Sequence, residues 1–328
     1  MQRILIVKTS SLGDVIHCLP VVNDILQHAQ QVHIDWVVEE SFADIPRLHP
    51  QVKNVLTVAM RRWRKALFSK NTWQEISEAK HLIQQNQYDA IIDTQGLLKS
   101  ALIAKQAYGV KHGYDKNSIR EPLASWFYDK TYAISYQQHA MTRNRALAAQ
   151  SLGYSVPETP PDYGISSKKI QNSGSVTHMN IGLQDRYILA LHGTSRESKL
   201  WPTENWVNLG KLLAQKNLNL ALPWANEAEF KRANEISAQL DNASVLPKRS
   251  IAELASVISD AKAAIGVDTG LSHLAAALNI PTIAIYTDTD SALTGVMAGS
   301  QTQAINLGGI GAMPSVADVF GSLKKILE

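Results

Sequence analysis

Residues 3–14 read RILIVKTSSLGD, and the fold is decided there. Ile4 to Val7 is an apolar run of strand length, rich in β-branched side chains. After Lys8 and Thr9 comes the turn-forming Ser10-Ser11-Leu12-Gly13. The pattern predicts a buried strand over 3–9, a turn, and a helix over 15–27. A strand that is apolar at every position is covered on both faces, as in a parallel sheet between two helical layers.

The same unit recurs along the chain. Further strands are expected at 33–38, 52–58 and 90–93, with helices at 73–85, 97–107 and 138–152. The alternation lapses after Pro157, where Pro160, Pro161 and then Ser and Asn clusters read as a linker. It restarts with strands at 187–192, 218–222, 263–267 and 282–286. The helices there are expected at 206–215, 227–239, 251–260, 272–278 and 316–327. Strand–helix alternation in two blocks predicts an α/β protein of two doubly wound domains with a cleft between them. The boundaries are placed at 1–165, a linker at 166–185, 186–314, and a last helix at 315–328. No internal repeat is visible.

Composition narrows the function classes. A chain of 328 residues, 45% hydrophobic and 19% charged, is long enough for two cores and is not a disordered one. Its lone cysteine, Cys18, rules out an intramolecular disulfide framework and a cysteine-rich metal cluster. The net charge of +3 is too small to indicate a nucleic-acid partner. No apolar run approaches the length of a membrane span, and no signal peptide is seen. A cytoplasmic protein is expected. The charge surplus lies in residues 1–165, with 18 basic and 15 acidic groups against 14 of each afterwards. It peaks at Arg61, Arg62, Arg64 and Lys65, around Trp63.

Four strand ends carry candidate chemistry. Asp14, after Gly13, has two readings that stand side by side: a base accepting a hydroxyl proton, or an N-cap for the next helix. The basic run 61–65 is either a solvated face or a site for phosphate or carboxylate, to which arginine forks are matched. His192-Gly193-Thr194-Ser195 with Lys199 suits a diphosphate better than an ordinary strand–helix joint. Asp268-Thr269-Gly270-Leu271-Ser272-His273 opens a helix whose N-terminus attracts phosphate, with Asp268 placed for sugar hydroxyls. His273 taken alone reads as a packed histidine. Glu229 is either a ribose ligand or a first-turn glutamate favoured by the helix dipole. No G-x-G-x-x-G, Walker A or zinc spacing is present. Asp288 and Asp290 read as turn-makers in a Thr-rich loop.

Taken together, Lys8 to Val15, Arg61-Arg62-Trp63-Arg64-Lys65, Asp93-Thr94-Gln95-Gly96-Leu97 and Asp268 to His273 closely resemble the bacterial lipopolysaccharide heptosyltransferases. The likeness also covers 120–125 and Lys199-Leu200-Trp201-Pro202, and so extends over essentially the whole chain. The basic run points to the type I branch. The resemblance implies a GT-B fold, with an acceptor-binding N-terminal domain, a donor-binding C-terminal domain and a last helix returning to the first. It implies inverting transfer of L-glycero-D-manno-heptose from ADP-heptose to a Kdo residue of Kdo2-lipid A.

By the same resemblance, the catalytic base falls on Asp14. Diphosphate contacts fall on Thr194, Ser195, Lys199, Thr269 and Gly270, the ribose carboxylate on Glu229, and the heptose contact on Asp268. His273 matches the donor-site pattern. Arg61, Arg62, Arg64, Lys65 and Arg120 become acceptor-binding candidates. Position 195 is Ser where some members carry Thr, and Arg249 stands where some carry Met near the adenine. No resident cofactor, metal ligand or nucleic acid is implied. The partners are ADP-heptose, Kdo2-lipid A and, peripherally, the cytoplasmic face of the inner membrane. The competing readings are a type II heptosyltransferase, a nucleotide-sugar epimerase of the same fold, and a non-catalytic anion-binding module.

Overall fold

The computed structural model describes residues 1–29, 31–165 and 187–328, so the expected linker at 166–185 lies outside the described residues. The chain divides into two compact units, Met1–Gly164 and Ile165–Glu328. The first holds six parallel strands: β1 Gln2–Val7, β2 Val32–Glu39, β3 Val52–Val58, β4 Gln87–Asp93, β5 Tyr108–Tyr114 and β6 Lys130–Tyr132. Their order is β3-β2-β1-β4-β5-β6. The second holds β7 Tyr187–Leu191, β8 Asn219–Leu222, β9 Ala243–Val245, β10 Ala263–Val267, β11 Thr282–Tyr286 and β12 Ala304–Gly308. Here the order is β12-β11-β10-β7-β8-β9.

Read from the opposite edge, the second order repeats the first. The two units share one Rossmann-like winding without sharing a sequence repeat, which is the domain type of the GT-B class. In each sheet the order reverses beside the first strand, between β1 and β4 and between β7 and β10. Ligands of open α/β sheets bind at the carboxyl ends of strands at that reversal.

Burial explains which strands the sequence revealed. Every residue of β7, β10 and β11 is buried, so these central strands are uninterrupted apolar runs. β5, β6, β9 and β12 went unrecognised. They lie toward sheet edges, are partly exposed, and mix polar or glycine residues with apolar ones. The first core gathers Leu5, Val7, Val37, Trp63, Tyr88 and Ile91. The second gathers Ile188, Trp201, Trp206, Leu220 and Ile283 around its own sheet.

One expectation needs correction. The helix expected over 15–27 is two helices, Leu12–Ile16 and Leu19–His28. Pro20 lacks an N–H and fits only near a helix start, so the chain breaks at His17 and Cys18 and begins again. The last helix, Val316–Leu327, buries Val319 and Leu323 in the core of the second unit. Among the described residues, no helix is long and apolar enough to cross a membrane.

Candidate active site

In the first unit, the loop after β1 is fixed by the loop after β4. The buried Lys8 donates from Nζ to the Thr94 carbonyl at 2.9 Å. Gln95 Oε1 accepts the N–H groups of Thr9 and Ser10 at 3.1 and 3.0 Å. Gln95 is itself positioned by Asp93, whose Oδ1 accepts the Gln95 N–H at 2.9 Å and whose Oδ2 accepts the Tyr128 hydroxyl at 2.8 Å. Burial raises the Asp93 carboxyl above its ordinary range, opposed by these bonds. Gln95 stood in the motif read from sequence without a role. Its function needs a partner 86 residues away.

Asp14 is not the N-cap. That position is Ser11, and Asp14 is the third helical residue reaching back to it. Asp14 Oδ2 accepts both the Ser11 N–H and the Ser11 hydroxyl at 2.8 Å. The N-cap reading thus gives way to another helix-end role: the carboxylate completes a capping box, and it is half-buried in the joint that follows β1. Its neighbour Cys18 is fully buried, and burial pushes its thiol up to about 11.

The basic run divides by role. Arg62 grips Glu40 with Nε and Nη2 at 3.1 and 3.0 Å, and reaches Glu75 with Nη1 at 2.9 Å. Trp63 is buried in the core and donates from Nε1 to Glu75 at 2.7 Å. Arg61, Arg64 and Lys65 are exposed. Arg61, Arg64 and Lys99 rim a cavity of about 410 Å³ floored by Met60, Trp63, Leu67 and Ile76. Lys99 donates to Ser10 Oγ at 3.0 Å. Burial, with help from Arg61 and Arg64, holds its ammonium below the ordinary lysine value against the pull of Glu39 and Glu121. Arg120 is exposed just before the short helical segment Pro122–Phe127.

In the second unit, Thr194, Lys199 and Asp268 converge at the β7–β10 reversal. Thr194 Oγ1 donates to the Asp268 carbonyl at 2.8 Å, and Lys199 Nζ to Asp268 Oδ2 at 2.6 Å. The ion pair is largely buried, with the two side chains 14% and 12% exposed. Thr289 also donates to Asp268 Oδ2. Sequence reading passed over Thr289 because a threonine in a polar loop carries no signal of its own. Its place just after β11 was the available clue. Asp288 accepts the Ser198 hydroxyl at 2.6 Å, and Asp290 caps the helix Ser291–Thr294. Both are thus loop-fixing groups, as read from sequence.

Thr269 is the N-cap of the helix Gly270–Ala277, and its side chain makes no capping bond. The first N–H groups of that helix lie beside Asp268 and Lys199, where the helix dipole favours an anion. Ser195 is exposed in the facing loop, and His273 is buried. Glu229 lies against Gly193. A Cβ on that glycine would stand 2.7 Å from the Glu229 carboxyl carbon, so a larger residue there would push the carboxylate aside. Glu229 Oε2 accepts the Ala225 N–H at 2.7 Å. His192, fully buried at the end of β7, is pushed down to about 4 by burial and by Arg232. Arg249 pairs with Glu253 at 3.7 Å.

A cation, hydroxyls, an uncapped helix N-terminus and two carboxylates at one reversal point suit a nucleotide diphosphate-sugar. Comparison with known proteins fits that site. The model of glycosyltransferase family 9 (heptosyltransferase) matches residues 76–320. The chain belongs to this family. It is 45% identical over 295 residues to lipopolysaccharide heptosyltransferase 1 of Salmonella typhimurium, covering 90% of this chain and 91% of that one. The structure of the Escherichia coli heptosyltransferase WaaC with ADP is 42% identical, with a TM-score of 0.89 and 99% of both chains covered. WaaC with ADP-2-deoxy-2-fluoro heptose is 41% identical, with a TM-score of 0.86 and the same coverage. The protein is therefore a glycosyltransferase, a heptosyltransferase of lipopolysaccharide core synthesis with the two-domain α/β architecture of its relatives.

Proposed function

We propose that this heptosyltransferase moves L-glycero-D-manno-heptose from ADP-heptose to a Kdo residue of Kdo2-lipid A, with inversion, at the cytoplasmic face of the inner membrane. The observation that carries the reading is the convergence of Lys199, Thr194 and the helix N-terminus on Asp268. Negative charge develops on the departing diphosphate, and groups fixed before reaction stabilise it without reorganisation. The Lys199 ammonium has three donors and gives one to Asp268. The other two serve diphosphate oxygens, and Ser195, Thr269 and Gly270 add hydroxyl and backbone donors. Asp268 takes heptose hydroxyls, Glu229 takes the ribose diol, and His273 braces the helix that presents Gly270.

Asp14 is the general base. An acceptor hydroxyl is a weak nucleophile, and a carboxylate taking its proton in the transition state raises the rate. The base's free oxygen is Oδ1, since Oδ2 is engaged by Ser11. Arg61, Arg64, Lys65 and Arg120 meet the carboxylates and phosphates of the acceptor. Arg62 orders the run by its bonds to Glu40 and Glu75.

The test is ADP release from ADP-heptose with and without a soluble Kdo2-lipid A analogue. Release that requires the Kdo acceptor is expected. Release only with an already heptosylated acceptor would move the enzyme to the type II reaction. Turnover of the donor with no acceptor would favour an epimerase or hydrolase.

A further inference from the structure

The turn that presents Lys199 is too short to hold itself. Glu197–Lys199 is a single 3-10 turn. It is closed by the Lys199 N–H on the Arg196 carbonyl at 3.1 Å and the Leu200 N–H on the Glu197 carbonyl at 2.9 Å. Hydrogen bonds inside such turns are poorly aligned, so their surroundings decide their shape. On one side the buried Trp201 is the anchor. Its Nε1 donates to the Pro314 carbonyl at 3.0 Å, and its own carbonyl accepts Arg232 Nη2. On the other side stands the loop 287–290, which follows β11. Thr287 Oγ1 donates to the Ser198 carbonyl at 2.7 Å, and the Ser198 hydroxyl donates to Asp288 Oδ2 at 2.6 Å.

That loop is secured without the side chain of Thr289. The Gly311 N–H, from the loop after β12, donates to the Thr287 carbonyl at 3.1 Å. Asp290 Oδ1 accepts the Ala292 N–H at 2.9 Å and starts the helix Ser291–Thr294. The path of the chain is therefore fixed on either side of residue 289. A threonine hydroxyl has one proton to give. The half-buried Thr289 gives it to Asp268 Oδ2.

Asp268 Oδ2 thus takes two donors, the Thr289 hydroxyl and the Lys199 ammonium. Among the described residues no hydrogen bond reaches Oδ1. A lysine is a point charge on a flexible stem, and alone it could settle on either oxygen. A second donor, brought from the end of another strand, picks out Oδ2 and stops the carboxylate turning. We infer that Thr289 is a positioning residue for heptose transfer. It locks the Asp268 carboxylate in one orientation, and that carboxylate holds the Lys199 ammonium where the departing diphosphate gathers charge. The inference rests on the proposed donor-site roles of Lys199 and Asp268. Groups aimed before reaction stabilise developing charge without reorganising, so losing the hydroxyl falls on the transition state more than on the bound donor.

The experiment measures ADP release from ADP-heptose, with the acceptor that supports wild-type turnover, for Thr289→Val, Thr289→Ser and Lys199→Ala. Thr289→Val keeps the shape and removes the hydroxyl. It should lower kcat about ten- to hundredfold. The KM for ADP-heptose, the affinity for ADP and the melting temperature should stay close to wild type. Thr289→Ser keeps a hydroxyl and should recover most of the loss. In the Lys199→Ala background, Thr289→Val should cost little more, because it acts through that lysine. Wild-type turnover by Thr289→Val, beside a slow Lys199→Ala, would overturn the positioning role and leave the donor site standing. Equal damage in both backgrounds would overturn it too, as would a lowered melting temperature with ADP binding lost, which would make Thr289 a prop of the loop. Wild-type turnover by Lys199→Ala would overturn the donor-site reading itself, and the role of Thr289 with it.

Discussion

Asp14 uses one carboxylate oxygen to cap a helix, so replacing it confuses two effects. Asp14→Ala removes the proposed base and also strips Ser11 of its acceptor, a loss worth about 0.5–2 kcal/mol of stability. Asp14→Asn keeps an acceptor oxygen for Ser11 and cannot take a proton. It should unfold like wild type, bind ADP-heptose with similar affinity, and turn over about 10²–10⁴-fold more slowly. Near-normal turnover by Asp14→Asn would remove Asp14 as the base. Lys199→Ala leaves Asp268 without its ion-pair partner, a largely buried carboxylate at the proposed diphosphate site. It should lower kcat/KM by about 10²–10³-fold. Adding Asp268→Asn should worsen kcat/KM by less than that change does in the wild-type background, because the two groups act as a pair. Full additivity in that kinetic cycle would show that the two side chains act separately on the donor.

At the scale of elements, two helices of the first unit are joined by a buried ion pair. Arg145, on the helix Ala140–Leu152, donates from Nε and Nη2 to Asp24 at 2.7 and 3.0 Å. Asp24 lies on Leu19–His28, and the two side chains are 9% and 4% exposed. Removing one member strands a buried charge, so Arg145→Met should cost about 3–5 kcal/mol by urea unfolding. Arg145→Met with Asp24→Leu should recover much of it. A single-variant loss below about 1 kcal/mol would mean that water reaches the pair. The sequence offers no hint of this bond. Each residue alone reads as a helix surface position, and they lie 121 positions apart. Helix ends were legible where a local cap fixed them, as at Ser250 with Glu253 and Ser315 with Asp318. The break at Cys18 was missed because the apolar period runs through Pro20.

At the scale of the whole molecule, the donor-binding candidates all belong to the second unit. ADP at a hundredfold excess over its Kd should stabilise the protein by about 2.7 kcal/mol. Hydrogen exchange should slow mainly in segments 192–199, 225–230 and 268–273. Protection centred on residues 8–14, with these segments unchanged, would place the nucleotide elsewhere. The repeated sheet order also belongs to this scale. It follows from right-handed crossovers and from which strands are apolar enough for the centre, which many unrelated sequences satisfy. That is why two units of one winding show no repeat in their residues.

The sequence by itself determined the fold class, because short apolar runs alternating with amphipathic helices have few other solutions. It also determined the candidate strand ends, because glycine turns, hydroxyls and charged residues cluster after those runs. The tertiary structure alone decided how those groups are spent. It tied Arg62 to Glu40 and Glu75, set Gln95 under the Thr9–Ser10 backbone, and joined Lys199 and Thr289 on Asp268. A local pattern records what a side chain can bond. Which partner it meets depends on strand order and packing, which bring together residues 13 to 86 positions apart.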